Sequence, residues 1–453
     1  MTPAAVSAGD TAWLIVATAL VMLMVPGLAF FYGGLVRGRA VLNTMMMSVA
    51  ALGLVGVQWV LLGYSLSFGS SSPYLGDLGW AGFAGVGGAP NATYSAVVPH
   101  VLFAAFQGMF AAITVALISG AVVERMRFGA YLLFAVLWTT LVYDPLAHWV
   151  WAEGGWLRSL GALDFAGGTV VHISAGISAL VAAIFLGKRR DVGRTAIVPH
   201  NVPFTLLGAG LLWFGWFGFN AGSALAADGL AAGALVSTHS AAAAAVTAWV
   251  LLDLLRTRRS TAVGAATGAV AGLVAITPAA GFVTPASALV IGAAGASLSY
   301  AAIQLRARTG VDDALDVFAC HGVAGIAGAL LTGVFASKAV NPLGNDGLLL
   351  GNPKLLGVQA IAVAATILFA GVLSLAILGG LRLVMPLRVP LSDEIAGIDV
   401  MEHGEEGYHG GDAGALASRP LSLGDSVLIP AGELTGMADG SYSNARERLA
   451  ADR

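Results

Sequence analysis

Two histidines stand inside long apolar stretches of this sequence, where ionisable residues are uncommon. His172 ends the run Asp164-Phe-Ala-Gly-Gly-Thr-Val-Val-His172, and His321 ends the run Asp316-Val-Phe-Ala-Cys-His321. A charged or ionisable side chain within a membrane helix costs free energy, so it usually faces a cavity or a polar partner. Because neutral imidazole both donates and accepts a hydrogen bond, the pair suits a chain of small hydrogen-bonding molecules. The alternative is that each histidine simply bonds to a neighbouring helix.

The surroundings of the two histidines do not favour a metal centre. Neither has a second His, Cys, Asp or Glu three or four residues away, and a catalytic zinc site needs about three protein ligands. Cys320 is the single cysteine, which excludes an intrachain disulfide. We therefore expect no metal and no other cofactor. A membrane enzyme that combines the histidines with Asp164 or Asp316 is a weaker alternative, because no nucleophile motif accompanies them.

Aromatic residues form a second group with chemical potential. Phe103, Phe106 and Phe110 recur at three- and four-residue steps, so they share one face of a helix. Such rings attract a small cation by about 0.5–2 kcal/mol each. Core packing explains most membrane aromatics equally well, so the pattern alone leaves both interpretations open. Further aromatic candidates in apolar segments are Trp151, Trp216 and Phe219.

Asp164 and Asp316 each precede one of the histidine-bearing segments. A carboxylate at this place most often caps the first amides of the following helix. It also produces a field that attracts a cation toward that end of the helix. The two roles are compatible, and we expect capping for both residues.

The composition shows which elements must position these residues. Of 453 residues, 57% are hydrophobic and 10% are charged, and the mean hydropathy is +0.83. A soluble domain carries about 25% charged residues. The lipid bilayer is therefore the expected solvent, and the small net charge of −3 argues against nucleic acid as a partner.

Eleven apolar segments are long enough to be membrane spans, and each must be a helix because lipid offers backbone amides no partner. We place them at residues 11–32, 42–66, 100–123, 128–152, 166–187, 201–222, 231–255, 262–280, 284–306, 315–336 and 354–384. The fold class is thus an all-α integral membrane protein. The run Gly264, Gly268, Gly272 in the eighth segment predicts close packing against another helix.

Loop charges predict the orientation of the chain. With the N-terminus outside, thirteen Lys and Arg fall in inside loops and three in outside loops. The positive-inside rule then gives N-out and C-in, which agrees with an odd number of spans. A multi-pass protein of the cytoplasmic membrane is expected.

The order of the segments predicts an internal repeat and three regions. The fifth and tenth segments both begin near an Asp and carry a His, which is typical of five plus five inverted helices with one extra helix. We predict a transmembrane domain at 1–385 and a regulatory tail at 386–410. The remaining 411–453, rich in Ala, Gly and Ser, is predicted to be a disordered extension.

Longer stretches around these residues resemble the ammonium transporters, the Amt family of the Amt/Mep/Rh superfamily, of bacterial type. The resemblance runs from about residue 10 to about 409. The stretches are Phe30-Phe-Tyr-Gly-Gly-Leu-Val-Arg37, Phe106-Gln-Gly-Met-Phe110, Asp164 to His172, Trp216-Phe-Gly-Phe219-Asn-Ala-Gly-Ser223, Asp312 to His321 and Leu387-Arg-Val-Pro390.

The resemblance implies a function and a set of partners. It implies ammonium transport for nitrogen uptake by a homotrimer with one pore per subunit, and no enzymatic activity. Ammonium, ammonia and the related methylammonium are the implied substrates. The tail around 397–408 resembles the segment that couples subunits, near the surface where a PII-type signalling protein plugs the pore in bacterial members.

The resemblance also implies the role of each site residue. Ammonium recruitment at an outer vestibule is implied for Trp151, Ser223, Phe106 and Asp164. Phe110 and Phe219 match the rings that gate the pore, and His172 and His321 match the twin histidines of pore lining and proton relay. Two alternatives within the superfamily stay open, an ammonium sensor and a Rhesus-type channel for the neutral gas.

Overall fold

The protein is described by a computed structural model that covers residues 6–70 and 72–408, so the predicted extension at 411–453 lies outside the described residues. Over these ranges the chain is helical, and its β structure is confined to two isolated bridges. The eleven main helices are α1 (Ala8–Leu35), α2 (Gly38–Phe68), α3 (His100–Val122), α4 (Phe128–Leu160), α5 (Gly168–Leu186), α6 (Val202–Gly222), α7 (Gly229–Thr257), α8 (Ala262–Ile276), α9 (Pro285–Arg306), α10 (Phe318–Phe335) and α11 (Pro353–Val384).

Helix length and hydropathy agree with the expected all-α membrane protein. Among the described residues, ten of these helices are long and apolar enough to cross a membrane. The eighth, α8, has 15 residues and reaches about 22 Å at 1.5 Å per residue. It is therefore shorter than the eighth predicted segment, because the chain turns at 277–282 instead of continuing as a helix.

The glycine run of α8 has the predicted packing role. A Cβ at Gly268 would lie 2.7 Å from the Cβ of Trp249 on α7, and one at Gly272 would overlap the side chain of Ala245. Small residues thus let the backbones of α7 and α8 approach closely, which is how membrane helices gain van der Waals contact. The sequence-based prediction of close packing is confirmed.

The two histidine-bearing helices, α5 and α10, share an unusual start. Each begins with a π-helical turn, Gly168–Ile173 in α5 and Phe318–Val323 in α10. A π turn carries one extra residue per turn and often marks a functional site. These turns hold His172 and His321, respectively, and no sequence pattern indicates them.

A cluster of ion pairs ties together the loops at the Arg-rich end of the helices. We call Arg37, Glu124, Arg189 and Asp312 the ion-pair cluster. Glu124 accepts from Arg37 at 2.6 Å, and Asp312 accepts from Arg189 at 2.9 Å. Burial opposes ionisation of both acids, but the hydrogen bonds and charges of the arginines outweigh it and hold the pKa of each carboxyl below its usual value.

The tail folds back onto this end of the same chain as two short helices, α12 (Leu391–Ala396) and α13 (Ile398–His403). Its acidic side chains cap two membrane helices. The carboxylate of Asp399 accepts from the amides of Leu42 and Asn43 at 3.0 and 2.8 Å, and Glu402 accepts from the amide of Phe128 at 3.0 Å. The tail thereby satisfies donors at the starts of α2 and α4 that have no partner within the helix. The boundary between 385 and 386 stays a prediction.

Candidate functional site

A cavity of about 160 Å³, which we call the outer cavity after the predicted orientation of the chain, contains several of the predicted site residues. Phe110 of α3, Trp151 of α4 and Ser223 at the end of α6 all line it. The Ser223 hydroxyl donates to the Phe219 carbonyl at 2.9 Å, which leaves its oxygen lone pairs available to a donor in the cavity. The remaining lining residues are Phe68, Thr93, Tyr94, Phe103, Gln107, Arg158, Phe165 and Leu225.

A stacked pair of rings closes the floor of this outer cavity. The ring centroids of Phe110 and Phe219 lie 4.1 Å apart, with 20° between the planes. Both side chains are fully buried. Phe110 lines the outer cavity and Phe219 lines the next one, so the pair separates the two.

The resemblance implies Phe106 beside Trp151 and Ser223 and Asp164 behind them, and the structure places both residues behind the cavity wall. Neither lines the outer cavity. Phe106 is buried with its ring 4.9 Å from that of Phe110, so it supports the ring that lines the cavity. Any contact that Phe106 makes with a molecule in the cavity would therefore require Phe110 to move.

Asp164 fixes the start of α5. Its carboxylate accepts hydrogen bonds at 2.6–3.3 Å from the backbone amides of Gly167, Gly168, Thr169 and Val170. It also accepts from the Thr169 hydroxyl. Its own carbonyl accepts from the indole N–H of Trp151 at 3.0 Å, which connects the histidine helix to the cavity wall. The predicted capping role of Asp164 is confirmed.

The expectation of capping was wrong for Asp316. Its backbone has φ of 58°, and its carboxylate pairs with Arg306 at 2.5 Å. Asp313 accepts from the amide of Phe318 at 2.7 Å and so caps α10 instead. The left-handed residue turns the Asp316 side chain away from the helix start, which spacing alone does not reveal.

His172 and His321 meet in the middle of the structure. Their Nδ1 atoms lie 3.3 Å apart, and the side chains are buried. One Nδ1 must donate and the other accept, so the two neutral rings have opposite tautomers. The Nε2 atom of His172 is buried without a hydrogen-bond partner in the described structure.

The space beside the histidines is narrow and almost entirely apolar. This middle cavity measures about 10 Å³, close to the space that one water molecule needs. Its lining residues are Met24, Leu28, Phe31, Ile113, Leu117, Val171, His172, Leu212, Trp216, Phe219, Val270 and His321. A hydrated ion does not fit such a space, whereas a neutral molecule the size of water does.

A third cavity of about 70 Å³ follows on the other side of His321. His321, Phe31 and Val270 line both the middle cavity and this inner one, so the two adjoin. Tyr32 and Cys320 also line it. Cavities thus follow one another from the outer aromatic site, past the stacked rings and the histidines, to the inner end.

Close backbone contact brings the two histidine helices together. A Cβ at Gly176, one turn after His172, would lie on the backbone of Gly322, which follows His321. Only glycine permits this approach. The contact between α5 and α10 therefore fixes the spacing of the two rings.

Sequence reasoning missed two residues of the site. Trp216 was noted as a candidate aromatic without a role, and its ring stacks on His172 with centroids 5.4 Å apart and donates to Thr277 at 2.9 Å. Arg158 is one of the three basic residues that the sequence places in outside loops, where they count only toward the orientation of the chain. Its position three residues beyond the turn at Gly154 and Gly155 carries no local signal that it returns to Trp151.

Comparison with known proteins identifies the family of this chain. Residues 12–408 match the model of the Ammonium Transporter Family. The chain is 50% identical over 401 residues to the ammonium transporter of Bacillus subtilis, covering 88% of this chain and 98% of that protein. It resembles the crystal structure of Candida albicans Mep2 with a TM-score of 0.80 at 37% identity, covering 86% of this chain and 88% of the other.

A solved sensor Amt protein is also similar, with a TM-score of 0.80 at 30% identity over 87% of this chain and 98% of that one. The family match spans most of the chain and includes every residue of the three cavities. This multi-pass membrane protein therefore belongs to the Ammonium Transporter Family.

Proposed function

We propose that this chain takes up ammonium across the cytoplasmic membrane by recruiting the ion, releasing its proton and conducting ammonia. The observation that carries the proposal is the series of three cavities, in which the stacked Phe110–Phe219 pair separates a wide polar site from a narrow apolar one. His172 and His321 are the main polar groups of the narrow part. The series supports a path that is wide and polar on one side of the stacked pair and narrow and apolar on the other side.

Recruitment takes place in the outer cavity. The faces of Phe110 and Trp151 attract a monovalent cation, by about 0.5–2 kcal/mol per ring. The Ser223 oxygen accepts one of the four N–H bonds of ammonium. Phe106 and Asp164 act indirectly, because the first supports Phe110 and the second holds Trp151.

Proton release follows from the size and polarity of the middle cavity. A charged ion that left its hydration shell there would meet a desolvation cost of many kcal/mol. A buried amine responds to that cost by giving up its proton, with shifts of up to about 3–5 pKa units. Ammonia then passes the rings and exchanges hydrogen bonds with His172 and His321, and the same two imidazoles accept the released proton and pass it on to the inner cavity, which His321 borders. Potassium is attracted to the same rings, but it has no proton to release. It would have to enter the middle cavity as an ion, so it is excluded.

The membrane arrangement is the second part of the proposal. Eleven spans with N-out and C-in require α8 to cross the membrane together with the turns at 277–282, because its helical part alone is shorter than the roughly 30 Å of hydrocarbon. The excess of Lys and Arg at one end of the helices supports this orientation. The homotrimer, the coupling of subunits by the tail and the PII-type partner rest on the family.

The test is current and internal pH in proteoliposomes of purified protein, after a pulse of ammonium and then of potassium. We expect a saturable response to ammonium alone. In His172→Ala and His321→Ala, transport falls at least about tenfold or potassium is admitted, because the polar groups of the narrow cavity are lost. His239→Ala is the matched control, since His239 lies on α7 outside the three cavities.

The outcomes separate the alternatives. Unchanged ammonium flux and potassium exclusion in both histidine variants would contradict the relay. Ammonia flux without current would make the protein a channel for the neutral gas and leave the histidines as pore lining. An absence of both signals would favour the sensor function, the alternative that the likeness to the solved sensor Amt protein supports.

A further inference from the structure

One residue that lines the outer cavity, Arg158, is positively charged, although the cavity is proposed to attract cations. Arg158 lines the cavity together with Phe110, Trp151 and Ser223. Its side chain is partly in solvent, and its position is nevertheless fixed. The guanidinium donates to the Trp151 carbonyl at 2.6 Å.

The local fold explains why the guanidinium stays there. The helical turns of α4 are interrupted after Trp151 and resume at Trp156, so the Trp151 carbonyl is one of the acceptors that a helix end leaves without a partner. The chain then turns through Gly154 and Gly155 and brings Arg158 back over that end. A cation at a helix C-terminus is stabilised by the helix dipole as well as by the hydrogen bond. The charge is therefore held at the rim rather than free to move away.

Arg158 has no carboxylate as an ion-pair partner in the described part of the chain. The carboxylate of Asp164 accepts hydrogen bonds from the amides at the start of α5 instead. Glu153 is exposed and forms no ion pair with Arg158 within the described residues. Tyr94, which also lines the cavity, interacts electrostatically with both Arg158 and Glu153. Burial raises the pKa of Tyr94 to about 12, against the hydrogen bond with the Glu153 backbone, which lowers it; of the nearby charges, that of Arg158 lowers the pKa and those of Glu153 and Asp77 raise it.

We propose that Arg158 is a fixed positive charge that weakens cation binding in the outer cavity and thereby sets the affinity for ammonium. The inference rests on the proposed recruitment of ammonium at this cavity. A neighbouring positive charge repels every cation there, and it also favours loss of the proton from bound ammonium, because like charges disfavour the charged form. Neutral ammonia experiences neither effect. The same residue thus lowers occupancy by potassium and promotes the step that lets ammonia continue.

The experiment measures initial uptake of labelled methylammonium into proteoliposomes at low and at high ionic strength, set with a large organic cation. We expect Arg158→Gln to lower the KM about two- to fivefold at low ionic strength, which is the effect of one unit charge at about 8 Å when the effective dielectric constant is about 45–80, as at a site open to solvent. At about 0.5 M salt the difference should fall below about 1.5-fold, because the charge is screened. Arg158→Lys keeps the charge and should stay close to the wild-type KM.

Two further variants make the result decisive. Glu153→Gln removes a negative charge from the same loop, so its KM should move in the opposite direction. Ser223→Ala tests the recruitment site itself and should raise the KM. If Ser223→Ala raises the KM while Arg158→Gln leaves it unchanged, or if both Arg158 variants raise it equally, Arg158 only positions Trp151 and the inference is overturned. If Ser223→Ala has no effect either, the proposed recruitment site is wrong as well.

Discussion

At the scale of single residues, the site depends on how a few buried polar groups find partners. His172 and His321 satisfy each other through their Nδ1 atoms, while the carboxylate of Asp164 serves the amides of α5. Buried polar groups cost free energy unless they are paired, so each of these residues determines the geometry around it. Asp164 matters most, because it orders both the histidine helix and the ring of Trp151.

Replacement of Asp164 tests this role. Asp164→Ala leaves four buried amides without an acceptor, at a cost of about 1–3 kcal/mol for each group that finds no other partner. We expect a lower thermal unfolding temperature and a loss of most methylammonium uptake. Asp164→Asn keeps one acceptor oxygen, so its unfolding temperature and its uptake should lie between those of the wild type and of Asp164→Ala. Measurements by thermal unfolding in detergent and by uptake in proteoliposomes would check both effects.

The control for this variant is another capping aspartate. Asp228 accepts from the amides of Leu230 and Ala231 at the exposed start of α7, away from the cavities. Asp228→Ala should cost about 1 kcal/mol and leave uptake intact. Equal losses of uptake in the Asp164 and Asp228 variants would show that capping in general, and not the position of Asp164, determines transport.

At the scale of helices, the histidine pair depends on how closely α5 approaches α10. Gly176 packs against the backbone of Gly322, so the helices touch within one turn of each histidine. Membrane helices associate by such small-residue contacts, because lipid provides no hydrophobic drive between them. The spacing of the rings is thus a property of two helices rather than of the histidines alone.

Gly176→Ala should therefore disturb the pore without touching either ring. The added methyl group forces α5 and α10 apart, and core overpacking of this kind costs about 1–3 kcal/mol. We expect uptake to fall several-fold, with weaker exclusion of potassium. Gly210→Ala on α6 is the matched control, since a Cβ there meets nothing within 4 Å. Wild-type flux and selectivity in Gly176→Ala would show that the ring spacing tolerates this displacement.

The sequence predicted which segments are helices better than it predicted which residues cap each helix and which residues of different helices are in contact. Apolar length alone located the helices, and the glycine run of α8 correctly indicated close packing. It could not predict that Asp313 caps α10, because a single left-handed residue, Asp316, decides which carboxylate faces the helix. Nor could it predict the return of Arg158 to Trp151 or the 3.3 Å between the histidines, since both depend on contacts between elements distant in the chain.

At the scale of the whole molecule, the tail connects the ion-pair cluster to the starts of two membrane helices. Glu394 of α12 accepts from Arg388 at 2.8 Å and from the amide of Arg190, in the same loop as Arg189 of the cluster. Asp399 caps α2 in the same region. Burial, its largest influence, raises the pKa of Asp399, while its hydrogen bonds to these amides oppose the rise. The tail is thus part of the folded unit rather than an appendage to it.

A chain cut after Val389 should lose two properties that point variants can separate. Removal of Asp399 and Glu402 leaves the starts of α2 and α4 without their caps, which costs about 1 kcal/mol per cap and lowers the unfolding temperature. The same cut should abolish retention of a PII-type protein in a pull-down with purified components. Asp399→Ala should reproduce the loss of stability and free the tail for limited proteolysis.

The control for the tail is Glu405→Ala, because the exposed Glu405 caps no helix among the described residues. It should leave unfolding temperature and proteolysis at wild-type values. Undiminished affinity of the PII-type protein for the cut chain would show that the tail is not required for that contact. If the cut chain also kept the wild-type unfolding temperature, the caps made by Asp399 and Glu402 would contribute nothing, and α2 and α4 would be held by packing within the membrane alone.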